Sequence, residues 1–142
     1  MRAGTRRPGW RRVAARLPVR RVRHQSATAH ELARVELLAG LPGEMLAKLG
    51  ERMERHTVGP GEQVVAEGEP GDRFYVVLSG LLSVSQAERG QRNLLRPGDY
   101  FGEVGLVMDV PRTATVKGMT PAVVASCDRD TFDEIVRPLF TG

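Results

Sequence analysis

Cysteine is scarce, long apolar runs are absent, and the histidines are scattered. The 142 residues include one cysteine, Cys127, which excludes an internal disulfide framework and a zinc site built from cysteines. We expect this residue, at the end of an apolar segment, to be a small buried side chain. No stretch approaches the roughly 20 apolar residues that cross a bilayer. We therefore expect no membrane span, and the single cysteine favours a reducing, cytoplasmic location. Since His24, His30 and His56 lack metal-site spacing, we also expect no metal.

Acidic residues are missing from the start of the chain. Nine arginines precede the first acid, Glu31, and the remainder then holds 12 of the 21 basic residues against 17 acids. The net charge of +4 therefore combines a basic leader with a body of charge −5, so we predict no specific nucleic-acid binding. We interpret residues 1–28 as a flexible leader or linker. Its alternatives are weak contact with an anionic surface and a presequence of mitochondrial type.

Two short helices are predicted at the start of the body, which we place at residues 29–142. From Ala29 to Gly40 apolar residues recur at helical spacing, and the glycine is a natural stop. Pro42 suits the first turn of a second helix, whose apolar stripe comprises Met45, Leu46, Leu49 and Met53. The chain therefore enters the body through helices.

Beyond Arg55 the chain has the pattern of short strands separated by glycine turns. The apolar segments are HTV, QVVAE, RFYVVLSG, LLSVSQAE, QRNLL, TATVKGM and AVVASC. Their spacing of about 8–12 residues predicts a β-sandwich, jelly roll or barrel. The last segment opens with an aspartate-rich cap region and places Phe132, Ile135 and Val136 on one helical face. The predicted class is therefore α+β, mostly β, with helices at both ends of a small β-roll.

Residues 99–111 break the strand rhythm and predict a helix of one or two turns inserted between strands. The helix would begin at Gly102, where its first amide groups are unpaired and attract an anion. Arg112 follows with a planar fork suited to a phosphate, and Glu103 suits a sugar hydroxyl. These residues together indicate a ribose phosphate site. The alternative is a surface arginine that pairs with Asp109 or Glu103.

The segments FGE at 101–103 and PRTAT at 111–115 closely resemble the phosphate-binding cassette of the cyclic nucleotide-binding domain family. The resemblance extends from about Leu37 to Phe140 and includes the GEPGD turn at 68–72. It implies an eight-stranded β-roll, similar to a jelly roll, with short N-terminal helices, an inserted phosphate-binding helix and a C-terminal helix.

The resemblance also assigns roles to residues of the cassette and of the strands near it. Arg112 is expected on the cyclic phosphate and Glu103 on the ribose 2′-hydroxyl. Backbone amides complete the phosphate cradle, a threonine hydroxyl lies at the phosphate or the base, and two apolar side chains line the base pocket. These further residues are Gly102, Val104 and Ala114 for the amides, Thr113 for the hydroxyl, and Val84 and Leu95 for the pocket.

The implied function is reversible, non-catalytic binding of a cyclic nucleotide by a regulatory module of bacterial origin. The expected ligand is cAMP in preference to cGMP. Thr113 does not decide between adenine and guanine, because the family uses Thr or Ser there with either ligand. The partner is a fused effector domain or a second copy in a homo-oligomer. One alternative is a structural module of a transporter, channel or encapsulin shell protein with weak or no ligand use. The other, a metal-dependent jelly-roll enzyme, needs clustered histidines.

The C-terminal segment bears on how the base is covered. We predict a helix from Asp130 to about Val136 that ends at Pro138. In the family a further helix folds over the base as a lid, and the residues after the proline are too few for one. We therefore expect micromolar binding with an open base, or a lid from a partner chain, a host protein or the leader.

Overall fold

The computed structural model describes residues 26–141, so the predicted leader up to residue 25, with His24, lies outside the described residues. The helices are α1 (Ala29–Leu32), α2 (Gly43–Arg52), α3 (Glu103–Met108), α4 (Arg129–Thr131), a π-helical segment (Phe132–Val136) and α5 (Arg137–Thr141). The strands are β1 (Glu54–Val58), β2 (Gln63–Val65), β3 (Arg73–Ser79), β4 (Leu82–Gln86), β5 (Gly90–Leu95), β6 (Tyr100–Phe101), β7 (Thr115–Gly118) and β8 (Ala122–Asp128). Within residues 26–141, no helix is long and apolar enough to cross a membrane.

The first helix is shorter than its sequence pattern predicts. A capping box of Thr28 and Glu31 starts α1, but the helix ends at Leu32 instead of reaching Gly40. The chain continues in tighter turns, in which the amide of Val35 donates to the carbonyl of Leu32 at 3.0 Å. Such turns bring every third side chain to one side. Leu32, Val35 and Leu38, three residues apart, are therefore buried without a longer helix.

The packed part of the chain begins before the predicted boundary at residue 28. Ser26 forms an isolated antiparallel bridge with Glu54, and Ala27 is buried. A Cβ atom on Gly50 of α2 would lie 2.6 Å from the carbonyl oxygen of Ala27. That approach requires glycine at residue 50. Ser26 and Ala27 therefore pack closely against the body.

Within residues 26–141, eight strands form two four-stranded antiparallel sheets, which confirms the mostly β roll. The first sheet has the order β1-β8-β3-β6 and the second sheet has the order β2-β7-β4-β5. Seven strands coincide with apolar segments of the sequence. The eighth, β6, has only two residues, Tyr100 and Phe101, and pairs with β3 immediately before α3. The sequence prediction placed this pair in the inserted segment, because two residues are too few to show alternation.

The core has two parts on opposite faces of β3. An inter-sheet core comprises Val58, Val65, Tyr75, Val77, Leu82, Leu95, Phe101, Val116, Ala122 and Val124. A helix-side core comprises Ala27, Leu32, Val35, Leu38, Leu46, Leu49, Met53, Phe74, Val76, Leu106, Ala125, Cys127, Phe132, Ile135 and Val136. Successive residues of β3 alternate between them, as the period of a strand requires. Both faces of this strand are therefore buried, which explains its unbroken apolar sequence.

The C-terminal helical segment passes through Pro138, where the sequence predicted an end. The Oδ1 atom of Asp128 accepts from the amide of Thr131 at 2.9 Å and caps the segment. A proline lacks the amide hydrogen and crowds the carbonyl four residues earlier. The wider π-helical turn directly before Pro138 absorbs this crowding, and the helix continues to Thr141. Phe140 then packs near the ring of Tyr100, with centroids 5.7 Å apart.

Candidate functional site

The inserted helix α3 starts and ends at residues with left-handed backbone. Its N-cap is Gly102, as predicted, with φ of 93°. A Cβ atom there would lie 2.6 Å from the carbonyl oxygen of Arg73, so only glycine fits. The C-cap Asp109 has φ of 55°, a conformation that aspartate tolerates better than most residues. These two turns connect β6 to the helix and return the chain towards Arg112.

Arg112 is the buried cation of this site, with 8% of its surface exposed. Its Nη1 atom donates to the carbonyl oxygen of Gly102 at 3.2 Å, and its Nη2 atom donates to that of Arg73 at 3.1 Å. Its own backbone exchanges two 2.8 Å hydrogen bonds with the 68–72 turn, at Gly68 and Glu69. Both ends of the residue are therefore fixed, the side chain by neutral carbonyl groups and the backbone by the turn.

The alternative reading of Arg112 as a surface arginine paired with a carboxylate is wrong. In the part of the chain that the structure describes, no carboxylate oxygen lies within 4.0 Å of its guanidinium. Asp109 instead lies 3.5 Å from Arg129. Burial lowers the pKa of Arg112 below its usual value. Electrostatic interactions with four residues oppose that shift, namely Tyr75, Asp72, Glu103 and Glu69.

Glu103 is the first residue of α3 and is half-buried beside the same arginine. Burial raises its pKa, while a hydrogen bond from a backbone amide and the charge of Arg112 lower it. A half-buried carboxylate and a buried guanidinium thus lie at one end of α3 without forming an ion pair. The arrangement offers a fixed donor fork for an anion and a separate acceptor for hydroxyl groups.

The other cassette residues of the sequence prediction lie on the segments that flank Arg112. Val104 is the second residue of α3 and is 39% exposed. Thr113 is exposed and Ala114 is half-buried, and the two residues lead directly into β7. The side-chain amide of Gln86 donates to the carbonyl oxygen of Thr113 at 2.9 Å. Strand β4 thereby holds the segment that follows the arginine.

The two predicted base-pocket residues differ in their distance from the cassette along the second sheet. Val84 of β4 is paired with Val116 of β7, two residues after Ala114. Leu95 of β5 is paired with Leu82, which is one strand further away. Both predicted residues contribute to the inter-sheet core, Leu95 as a buried member and Val84 at its margin. In the strand order, Val84 on β4 is adjacent to β7, the strand that follows the cassette, whereas Leu95 on β5 is one strand further away.

Sequence reasoning missed three residues that surround the Arg112 side chain. They are Arg73, through its carbonyl oxygen, Tyr75, whose ring centroid lies 5.7 Å from Cζ of Arg112, and Gly71, where a Cβ atom would lie 3.1 Å from Cζ. The sequence signal available for them was the GEPGD turn followed by an apolar strand. That signal located the turn but carried no indication of which of its atoms face the arginine.

Two further polar residues of the described part of the chain, Cys127 and His56, lie outside this site. Cys127 is fully buried, as expected, and burial raises its pKa to about 12. His56 lies 3.4 Å from the hydroxyl of Ser126, but that serine is fully buried and accepts a hydrogen bond from Arg73. Over residues 26–141, no group of three or more potential metal ligands is present.

Comparison with known proteins identifies relatives of this fold and sequence. The family model described as "Cyclic nucleotide-binding domain" matches residues 55–138. The cAMP-dependent protein kinase regulatory subunit of Yarrowia lipolytica is 39% identical over 119 residues, which are 82% of this chain and 32% of the relative. The chain spans about a third or less of the length of the curated relatives it matches. The four regulatory subunits among them are fungal and contradict the expected bacterial source.

Solved structures share the architecture. A structure of PKAR CBD2 with bound Sp-2Cl-cAMPS has a TM-score of 0.72 and 26% identity, and the match covers 85% of this chain and 80% of that one. The regulatory subunit of a cAMP-independent protein kinase A from Trypanosoma brucei has a TM-score of 0.77. Its identity is 22%, and the match covers 93% of this chain and 47% of that one. The second likeness concerns the fold alone.

Proposed function

The chain belongs to the cyclic nucleotide-binding domain family, and we propose that it binds cAMP reversibly as a non-catalytic regulatory module. The observation that carries the proposal is the state of Arg112, which is buried, fixed and hydrogen-bonded only to uncharged carbonyl groups. A buried charge without a counter-charge is unfavourable. A phosphodiester anion beside this fork supplies the missing charge through charge-assisted hydrogen bonds.

We propose the remaining contacts from the resemblance of these residues to the cassette of the family. Glu103 accepts a hydrogen bond from the ribose 2′-hydroxyl, and the amides at Gly102, Val104 and Ala114 face the phosphate. Val84 lines the base pocket with Leu95, and Thr113 contributes a hydroxyl. We favour cAMP because the curated fungal relatives are regulatory subunits of a cAMP-dependent protein kinase. Parallel titrations with cAMP and cGMP test this preference.

Titration calorimetry with an arginine variant tests the binding proposal. Replacement Arg112→Gln removes the fork and should weaken cAMP binding by about 2–3 kcal/mol, or roughly 30- to 150-fold. The matched control is Arg129→Gln, which removes another arginine close to the cassette, at 3.5 Å from Asp109. The control should bind cAMP as the parent does. Equal affinity in parent and Arg112→Gln would exclude the proposed phosphate contact.

The effector that we propose is a protein kinase, because the names of the curated relatives connect this module with kinase regulation. A catalytic subunit of such a kinase should be inhibited by this protein, and cAMP should release the inhibition. A parent protein that gives no heat with cAMP or cGMP would favour the structural module instead.

A further inference from the structure

The guanidinium of Arg112 lies against an aromatic ring whose own position is fixed. Its Cζ atom is 5.7 Å from the ring centroid of Tyr75, which is 9% exposed. That ring stacks on Phe101, with centroids 4.7 Å apart and planes 2° from parallel. The two aromatic residues are also direct partners in the β3–β6 pairing. Backbone register and stacking thus hold the ring in place below the arginine.

The turn before β3 approaches the same guanidinium closely at Gly71, which has no side chain. A Cβ atom on Gly71 would lie 3.1 Å from both Cζ and Nε of Arg112 and 3.2 Å from Cδ. Such distances are shorter than ordinary contacts, so an alanine there displaces the arginine side chain by a few tenths of an ångström. Gly71 has no left-handed backbone, and the reason for glycine is therefore the close approach alone.

We propose that Tyr75 and Gly71 are positioning residues for Arg112 and that they set the affinity of the site for the phosphate by acting through this arginine. The inference rests on the proposed function, because the phosphate contact of Arg112 belongs to that proposal. The two hydrogen bonds to carbonyl oxygens fix the Nη atoms, whereas the ring attracts the whole cation. The glycine leaves the space that the cation occupies.

The first test separates the effect of the aromatic ring on binding from the effects of the hydroxyl group and of general core packing. Tyr75→Leu removes the ring and should weaken cAMP binding about five- to tenfold, the size expected for one partly desolvated cation–π contact. Tyr75→Phe keeps the ring and should bind as the parent does. Adenosine lacks the phosphate, so its affinity should be equal in all three proteins. Equal losses for cAMP and adenosine, or an equal loss in Tyr75→Phe, would overturn the proposal.

The second test uses a milder change and covers the case in which Tyr75→Leu does not fold. Gly71→Ala should fold and weaken cAMP binding by a factor of about three to five, again with adenosine unchanged. Gly43→Ala is the matched control, because a Cβ atom on Gly43 of α2 would have no neighbouring atom within 4 Å. Unchanged cAMP affinity in Gly71→Ala would overturn the role of this glycine.

A third measurement reports the position of the arginine without any ligand. Nitrogen-15 NMR of the ligand-free protein resolves the Nε–H group of Arg112, assigned by its loss in Arg112→Gln. Its resonance should shift in Tyr75→Leu and in Gly71→Ala but stay in place in Tyr75→Phe and Gly43→Ala. An unchanged resonance in the first two variants would overturn the positioning role. Failure of the parent to bind cAMP would instead overturn the proposed function, so the two failures are distinguishable.

Discussion

The exposed carboxylate of the C-terminal segment is paired with cations, whereas the buried arginine of the cassette is hydrogen-bonded to neutral carbonyl groups. Glu134 accepts from Lys48 at 2.6 Å and from Arg52 at 2.7 Å, and these contacts lower its pKa to about 2. Arg112 is buried, and within residues 26–141 its guanidinium donates hydrogen bonds to the uncharged carbonyl oxygen atoms of Gly102 and Arg73. The two ion pairs of Glu134 therefore form at the surface, where they connect α2 with the C-terminal helical segment. The site, as far as residues 26–141 describe it, leaves the buried charge of Arg112 without an anionic partner, which is unfavourable.

The comparison also shows what each region requires of its neighbours. The surface cluster needs only long side chains on facing helices, and such pairs contribute little to stability. The cassette and the turn beside it need close approaches to the Arg112 side chain, where an added Cβ atom would lie 3.1 Å from Cζ at Gly71 and 2.8 Å from Nη1 at Gly102. Substitutions in the two regions should consequently differ in their effect on binding as well as on stability.

The largest effect is expected from Gly102→Ala. Its φ of 93° is unfavourable for alanine, and the new Cβ atom would lie 2.8 Å from Nη1 of Arg112. The variant should lose about 2 kcal/mol or more of unfolding free energy, together with measurable cAMP binding. Gly61→Ala is the matched control, since its φ is 80° but nothing lies within 4 Å of the Cβ position.

Chemical denaturation measures both variants of this pair. The control should lose only about 1–2 kcal/mol, the cost of the left-handed backbone, and should bind cAMP as the parent does. Equal destabilisation in the two variants would contradict the idea that the close approach of the Arg73 carbonyl oxygen and of the Arg112 side chain requires the glycine at residue 102.

An intermediate effect is expected from Glu103→Gln. The loss of the carboxylate should weaken cAMP binding less than Arg112→Gln does, because a hydrogen bond to the ribose remains with the amide. It should also reduce the discrimination between cAMP and its 2′-deoxy analogue. Calorimetry with both ligands measures this, and an intact discrimination in the variant would exclude the ribose role.

The same substitution has a pH-dependent effect on the ligand-free protein. Burial raises the pKa of Glu103 above the unfolded value of 4.5, so ionisation disfavours the folded state at neutral pH. Glu103→Gln should therefore be slightly more stable than the parent at pH 7. This advantage should disappear as the pH falls below the unfolded pKa, where the carboxyl is protonated in both states. A variant less stable than the parent at pH 7 would contradict this.

The smallest effect is expected from Glu134→Gln at the surface cluster. Hydrogen bonds from Lys48 and Arg52 lower the pKa of Glu134 from 4.5 to about 2. The carboxylate therefore stabilises the fold above pH 4.5, and this contribution is lost as the pH falls towards 2. Thermal unfolding should show a small deficit of the variant at pH 7 that shrinks in acid and in high salt. Altered cAMP affinity in the variant would contradict the separation of the two regions.

Much of the fold was predictable because its signals are local. Alternation, apolar runs and glycine turns located seven strands, and an aspartate cap located the C-terminal helix. The errors arose where two physical patterns overlap. Apolar residues three apart fit both a helix and a series of tighter turns, so the segment after Leu32 was predicted as helix. Pro138 is a helix breaker by rule, but the π-helical turn before it absorbs the crowding.

Only the candidate site residues that belong to one motif of the sequence were predictable. Gly102, Glu103 and Arg112 belong to one motif, and the structure brings them to one end of α3. The atoms that hold the arginine come from a different segment. A carbonyl group such as that of Arg73 has no side-chain signature. Tyr75 has the pattern of an ordinary apolar strand residue, and its contact with Arg112 depends on the register between β3 and β6.

The stability of Arg112→Gln with and without cAMP tests the central claim most directly. Without ligand, the variant should unfold at nearly the parent's temperature, because the buried unpaired charge that it removes offsets the two lost hydrogen bonds. At a cAMP concentration 100 times the parent's Kd, the parent should gain about 2.7 kcal/mol of stability, and the variant, at the same concentration, should gain at most about 1 kcal/mol. Equal stabilisation of parent and variant by cAMP would contradict the account of Arg112 as a cation kept unpaired for the phosphate.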